Sequence, residues 1–402
     1  MKELFLLGAG ATVEAGVPAS TQMTKDMLSA FSEDFRLRHE YRVLKFVVGG
    51  LLFQAGAKGS NPFEGINIED LFNTVNLLGE KNDSELSPFV GSWHPLLQDF
   101  QMGDISSSTA SAMLSNIYEP IKDYVDDTSS SRGHSRINDF HIRSDFQRNF
   151  TEAVRQSLGS KSKWIFHQTG EAMIEKLIDM VWLTDPLSVQ YLHPLVKHAS
   201  VNKSAIVTLN YDNSIELAGK GINLEIDTGF ESWSRSGEFK YKRNLIPLIK
   251  LHGSIDWALD YEPRSNTKIF PSQSISKVNP ENSKSKKYRP AIVFGGKNKL
   301  TANGPSLSLL RAFERELNKC TLLITVGYSF HDDHVNEFIK NWLNGNQARE
   351  MKIIDPSFES LHGEFIDLLR KVIPTNRVQI IKETTGRAFK QFFYNWMDLD
   401  DN

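Results

Sequence analysis

The sequence predicts a doubly wound α/β fold, a parallel sheet with helices on both faces. Three observations carry this reading. Short apolar runs bounded by turn residues recur along the chain, and they are continuous rather than alternating, as strands covered on both faces should be. Helical stripes lie between several of them, the alternation expected of a parallel sheet. Glycines and polar residues gather just past the ends of these runs, where such sheets bind ligands.

The first apolar run, residues 4–7, leads at once into Gly8-Ala9-Gly10-Ala11-Thr12 and a stretch that reads as a helix. Its sheet partners arrive only after residue 200. Residues 41–199 therefore read as a large, mainly helical insertion between two parts of one domain, 1–40 and 200–402. Within the insertion, residues 171–183 have a helical pattern, and the Ser-, Asp- and Arg-rich piece 126–135 reads as a loop. The next strands are expected at 205–209, 246–251 and 291–294, the last two separated by a long connection near 262–289 rich in Ser, Lys, Asn and Pro. Leu307, Leu310, Phe313 and Leu317 mark the apolar stripe of a helix whose Arg311, Glu314, Arg315 and Glu316 face water. After a strand at 322–326, Val335, Phe338, Ile339, Trp342 and Leu343 mark a second helix, with Asp332 and Asp333 at the end where the helix dipole favours negative charge. Strands at 352–354 and 378–381 complete the set. No internal repeat or heptad run is present.

Composition excludes several functions. The 402 residues carry 46 Lys+Arg against 49 Asp+Glu, a net charge of −3, so bulk positive charge is not available to hold nucleic acid. Lys284, Lys286, Lys287, Arg289, Lys297 and Lys299 form the most basic neighbourhood; it reads as a solvated loop, with a nucleic-acid contact left open. The single cysteine, Cys320, can build neither an internal disulfide nor a Cys-rich zinc cluster. No apolar run approaches the roughly 18 to 20 residues needed to cross a bilayer, and the apolar stretch at 4–7 is too short for a signal peptide. A cytoplasmic protein with no membrane contact is expected.

Four strand ends carry candidate chemistry. Gly8, Ala9, Gly10 and Thr12 form a turn that can bring backbone N–H groups against a phosphate, although Val13 stands where the dehydrogenase fingerprint needs its third glycine. Asn210-Tyr211-Asp212, His252-Gly253-Ser254 and Gly327-Tyr328-Ser329 follow three other strands. Singly, each has a plain structural explanation: an Asx-turn, a satisfied core histidine, a turn into a helix. Their shared placement beside the glycine turn is what indicates a ligand site. Asp355, just past the strand at 352–354, is an acid where a ribose hydroxyl is often held. His331 and His334 share a helix face in His331-Asp332-Asp333-His334, but no third ligand is evident and aspartates suit a helix start, so no metal is expected there.

Taken in order, Gly8 to Thr12 with Gly16-Val17-Pro18, Leu209 to Asp212, Leu251-His252-Gly253, Arg289 to Gly295, and Gly327-Tyr328-Ser329 resemble the motifs of the sirtuin, or silent-information-regulator, NAD-binding domain. Each match is short. Five in the right order cover most of the chain outside the insertion. The resemblance implies a Rossmann-like sheet that binds NAD. By that resemblance Asn210 holds the ribose and orients a water, and His252 is a base or a hydrogen-bond partner of the ribose hydroxyls. It likewise implies that Asp212 meets the nicotinamide carboxamide, and that the glycine turn, with Thr12 and Val17, cradles the pyrophosphate. Gly327 and Ser329 line the adenosine half, and Asp355 takes its ribose.

Two departures from the sirtuin deacylases shape the functional expectation. Ala19-Ser20-Thr21 stands where they carry Asp-Phe-Arg, and residues 256–288 contain no cysteine where they carry a four-cysteine zinc ribbon. With no zinc ribbon to wall an acyl-lysine cleft, the chain is more similar to bacterial sirtuin-like domains of antiphage systems, which hydrolyse NAD to nicotinamide and ADP-ribose. The segment Gly327 to Asp332 and a large helical insertion are also familiar in that group. That resemblance implies NAD as substrate, assembly as a homo-oligomer and a HerA-type ring ATPase as partner. Three functions follow: NAD hydrolase, NAD-dependent protein deacylase, and a nucleotide-sensing or nuclease-like subunit of a defence complex.

Overall fold

The computed structural model describes residues 2–57, 65–80, 162–262, 272–281, 288–292 and 305–393. Its principal sheet has seven parallel strands: β1 (Glu3–Leu7), β2 (Ala205–Thr208), β3 (Ile226–Asp227), β4 (Ile246–Lys250), β8 (Leu322–Val326), β9 (Glu350–Ile354) and β10 (Val378–Ile381). A separate antiparallel sheet holds β5 (Gly253–Glu262), β6 (Ser272–Lys277) and β7 (Pro290–Ile292). The order in the parallel sheet is β10-β9-β8-β1-β2-β4-β3. From β1 the chain builds outward through β2 to β4 and β3, then returns to lay β8 against the other side of β1. Leu7 thus lies beside Thr208 and also beside Val326. The direction of building reverses between β1 and β8, which makes their carboxyl ends the crevice where ligands bind such sheets.

The continuous apolar strands have a direct cause. In β1, Leu4 and Leu6 enter one core, with Val207, Ile249 and Leu323, under α8 (Pro305–Leu317) and α9 (Asp333–Gly345). Phe5 and Leu7 enter the opposite core, with Ile206, Leu248 and Ile324, under α5 (His193–Asn202), α6 (Ser214–Gly221) and α11 (Thr385–Phe393). Successive residues of a strand point to opposite faces, so a sheet clad on both sides needs apolar residues at every position. The expected helix stripe at Val335, Ile339, Trp342 and Leu343 is buried in α9, and Asp332 caps its start by accepting from the backbone N–H groups of His334 and Val335. Two shorter helices, α7 (Phe230–Ser236) and α10 (Glu364–Val372), complete this part.

Three local expectations are corrected. The run at 291–294 does not join the parallel sheet: Ala291 and Ile292 pair antiparallel with Ser254 and Gly253 of β5. The start of the supposed connection near 262–289 is strand, β5 pairing with β6 from Trp257–Lys277 to Glu262–Ser272. In α8 the buried face is formed by Leu309, Ala312, Phe313 and Leu317, while Leu307 is exposed. The face that packs into the core with β1 and β8 sets the phase of the stripe. Residues 126–135, most of the connection after residue 262, and Lys284, Lys286, Lys287, Lys297 and Lys299 lie outside the described residues, as do Val293, Phe294 and Gly295.

Residues 1–19 with 180–402 form one compact unit, and residues 20–179 another. In the second, α1 (Ser20–Glu33), α2 (Arg38–Ala57) and α3 (Ile68–Glu80) pack through Met27, Phe31, Leu44, Val48, Leu71 and Phe72. The Ser20 and Thr24 hydroxyls donate to Asn67 Oδ1 (2.6 Å) and Ile66 O (2.8 Å), tying the start of α1 to that of α3. A fourth helix, α4 (Ser162–Val181), begins in this unit and ends in the other. No described helix is long and apolar enough to cross a membrane. Cys320 is buried, donates to Leu317 O at 3.1 Å, and has its thiol pushed up by burial to about 12, so it is not a thiolate nucleophile.

Candidate functional site

At the carboxyl ends of β1 and β8 two backbones touch. Gly10 N donates to Gly327 O at 2.9 Å, and Gly8 N donates to Val326 O at 2.9 Å. A Cβ on Gly8 would stand 2.5 Å from Gly327 O, and one on Gly10 would stand 2.8 Å from Gly327 Cα. Only glycines fit at this approach, and Gly327 also holds φ at +57°. The residues after Gly8, Ala9–Ala15, form a 3₁₀ helix ended by Gly16. Thr12 and Val17 are buried, and Val17 N closes the turn on Thr12 O at 3.3 Å. Ala9 and Gly10 remain exposed, as a backbone that is to meet a ligand must be. Tyr191 braces the turn from behind, its hydroxyl donating to Ala11 O at 2.8 Å.

Asn210 follows β2 and its side chain crosses to the same turn. Its amide Nδ2 donates to Gly8 O at 3.0 Å and to Thr12 Oγ1 at 3.1 Å, while its backbone N takes Thr208 Oγ1 at 3.0 Å. Two residues on, Asp212 is buried and one carboxylate oxygen accepts from Ser214 N at 3.0 Å, starting α6. His252 follows β4, 7% exposed, and its Nε2 lies 2.8 Å from Asp332 Oδ2. The carboxylate accepts there from the ring N–H, which fixes the ring's orientation and tautomer in the way carboxylates do for catalytic histidines. Asp332 thus divides its two oxygens between His252 and the first turn of α9.

The structure therefore brings Gly8, Ala9, Gly10, Thr12, Val17, Asn210 and Gly327 together, and places Asp212 two residues beyond Asn210 on the same loop. The His252–Asp332 pair links the ends of β4 and β8. Ser329 lies two residues past Gly327, its Oγ 2.9 Å from His331 Nδ1. Asp355 sits past β9, joined to the neighbouring strand end through Asp355 N and Ile381 O at 3.0 Å. Burial raises the Asp355 carboxyl above the ordinary value of 3.8, although a hydrogen bond from Ser357 N opposes this.

Sequence reasoning gave no role to three residues that the structure puts at this edge. Asp332 was visible as a helix-start acid and as the end of the Gly327 to Asp332 segment, neither of which places it against His252. Lys250 stood in plain sight as a charged residue ending an apolar run. Tyr191 belongs to no motif, and nothing near it in the sequence signals its contact with a turn 180 residues away. Among the described residues no group of three or more His, Cys, Asp or Glu side chains is arranged to hold a metal ion.

Residues 204–367 match the family model of the SIR2-like domain, which is less than half of the chain. No curated protein matches the sequence. Among solved structures, the chain is similar to a Sir2 homologue in complex with NAD, at 12% identity and a TM-score of 0.36, over 60% of this chain and 77% of that one. A mutant Sir2 homologue complexed with 2′-O-acetyl ADP-ribose is 13% identical, with a TM-score of 0.37 over 61% and 82%. Sir2Tm bound to a propionylated peptide is 16% identical, with a TM-score of 0.30 over 53% and 81%.

Proposed function

We propose that the chain is an NAD hydrolase that cleaves NAD to nicotinamide and ADP-ribose. The observation that carries this is the meeting of the Asn210 side chain with the Gly8–Thr12 turn at the switch point of the sheet, within a unit containing the SIR2-like match. In the reaction, water forms a bond to the anomeric carbon while the carbon–nitrogen bond to nicotinamide breaks, nicotinamide leaving with the bonding pair. The oxocarbenium-like transition state is favoured by groups held rigidly around the ribose. Asn210 orients the ribose and the water, and its own anchoring on Gly8 O and Thr12 Oγ1 limits its freedom. His252, steadied by Asp332, accepts a ribose or water proton, the general-base role an imidazole commonly fills. Asp212 receives the carboxamide N–H. Ala9 presents its backbone N–H group to the pyrophosphate, and Ser329 and Asp355 serve the adenosine end.

A protein deacylase is the second reading, and it is disfavoured by residues 256–288. This stretch has no cysteine, and its described part folds as antiparallel strand rather than as a metal ribbon. Incubating the purified protein with NAD, with and without an acylated peptide, separates the readings. ADP-ribose formed without peptide supports the hydrolase. Acyl-ADP-ribose formed only with peptide supports the deacylase, and NAD binding without turnover supports a nucleotide sensor. A toxic hydrolase has to stay silent until triggered, so the assay includes a HerA-type ATPase partner and the assembled homo-oligomer. The antiphage role and that partner follow from the motif resemblance.

Asp355 gives a pH prediction. A carboxylate accepts from two ribose hydroxyls only when ionised, and a raised pKa means that protonation begins at a higher pH than for a free aspartate. NAD affinity is expected to fall as pH is lowered, with the decline starting at a higher pH than a free aspartate would give. Asp355→Asn is expected to flatten that decline in a titration of NAD Kd against pH; an unchanged profile would remove Asp355 from the site.

A further inference from the structure

Lys250 ends β4 and is fully buried, with a side-chain exposure of 0%. Its Nζ donates to Asp212 O at 2.5 Å and to Glu216 Oε1 at 2.8 Å. Burial alone would pull this ammonium down, but the carboxylates of Glu216, Asp256 and Asp212 outweigh that and hold it raised, so it stays charged. A charged lysine in the interior is costly, and an apolar residue would end an apolar strand without that cost. What the ammonium adds is a hold on one backbone carbonyl. The loop after β2 is also pinned by Asn210 Nδ2 on Gly8 O and Thr12 Oγ1, by Ile255 N donating to Tyr211 O at 2.9 Å, and by the Asn213 side chain, which exchanges two 2.8 Å hydrogen bonds with the Leu183 backbone. Lys250 supplies the pin at Asp212, and it does so from the strand that delivers His252 two residues later. Lys250 therefore adds a side-chain link between the Asn210–Asp212 loop and the His252 loop to the backbone links from Leu251 N to Thr208 O and from Ile255 N to Tyr211 O.

We propose that Lys250 is a positioning residue for cleavage of the nicotinamide–ribose bond, its ammonium fixing the Asp212 carbonyl so that the Asp212 carboxylate keeps its place. The proposal rests on the NAD hydrolase reading. Two variants test it: Lys250→Met, and Lys250→Met with Glu216→Gln. The second removes the Glu216 charge together with the ammonium, so that the one carboxylate hydrogen-bonded to Lys250 is not left without its cation, and it keeps the fold if the single change does not. We expect kcat for NAD to fall by about 30-fold or more with KM changed by less than about 3-fold, because orientation at the reacting centre is lost while the pyrophosphate and adenosine contacts remain. In an Asp212→Asn background the same change is expected to alter kcat by less than about 2-fold, since the residue acts through Asp212. Hydrogen exchange of peptides covering 209–214 should quicken by about 10-fold while those covering 351–355 stay as they were.

Parent-level kcat and parent-level exchange in the double-charge variant would overturn the proposal. An equal loss of kcat in the parent and Asp212→Asn backgrounds would do so too, by showing that Lys250 acts elsewhere. If the parent protein turns over no NAD, the hydrolase reading falls by itself, and the exchange of 209–214 still decides whether Lys250 holds the loop.

Discussion

Asn210→Ala is expected to reduce NAD turnover by about 10³-fold or more, with His252→Ala close behind, while neither change unfolds the protein. Positioning a ribose and its attacking water is the kind of effect worth several orders of magnitude, and a well-placed proton acceptor contributes about 10² to 10⁴. Both side chains are buried at a sheet edge, yet neither fills a core: Asn210 loses two hydrogen bonds to the glycine turn and His252 one to Asp332. At about 1 kcal/mol per bond the fold survives. Asp332→Asn separates support of His252 from support of α9. Asparagine caps a helix about as well as aspartate, so α9 should start normally, but the amide no longer offers His252 an anionic acceptor. An intermediate loss of turnover with an unchanged melting temperature is expected. Turnover at parental level in Asn210→Ala and His252→Ala, measured as nicotinamide release, would end the assignment of the site.

Much of the sheet was legible because its chemistry is one-dimensional. Residues 4–7 are apolar at every position and 322–326 at all but Thr325, and only a strand covered on both faces asks for that; their placement side by side at the centre follows from the same demand. The candidate residues were legible for a related reason. A parallel sheet collects its functional groups at the carboxyl ends of strands, so Gly8, Asn210, His252, Gly327 and Asp355 could be found by looking just past each apolar run. The small antiparallel sheet was less visible. Ile255, Trp257 and Leu259 alternate with Asp256, Ala258 and Asp260, a period-two signal that the polar residues following it obscured. Long-range partners were not legible at all. Nothing in the sequence pairs Tyr191 with Ala11, or tells which acid will meet His252, because those contacts are set by how the strands are ordered, and strand order is a property of the whole chain.

Gly253→Ala should produce the largest loss of stability of any single methyl added to this protein's described glycines. Gly253 sits directly after His252 with φ at +79°, and a Cβ there would lie 1.8 Å from Ala291 O. The obstacle is backbone of the paired strand β7, so no rotamer change relieves it. Either β7 moves away from β5 or Gly253 abandons its left-handed conformation and turns His252 out of line with Asp332. Strained backbone conformations cost about 1 to 3 kcal/mol, and the overlap adds to this, giving a loss of about 3 kcal/mol or more. For a unit of this size that lowers the melting midpoint by roughly 6 to 12 °C. Gly237→Ala is the matched control, because Gly237 has a similar φ of +72° but nothing within 4 Å of the added methyl. It should cost about 1 kcal/mol, the conformational part alone. The difference between the two variants isolates the steric conflict between β5 and β7, and only the Gly253 variant should also lose NAD turnover, since only there does the strain pass into the histidine. Equal melting shifts for the two would mean that β7 yields without resistance, and that the small sheet does not hold His252 in place.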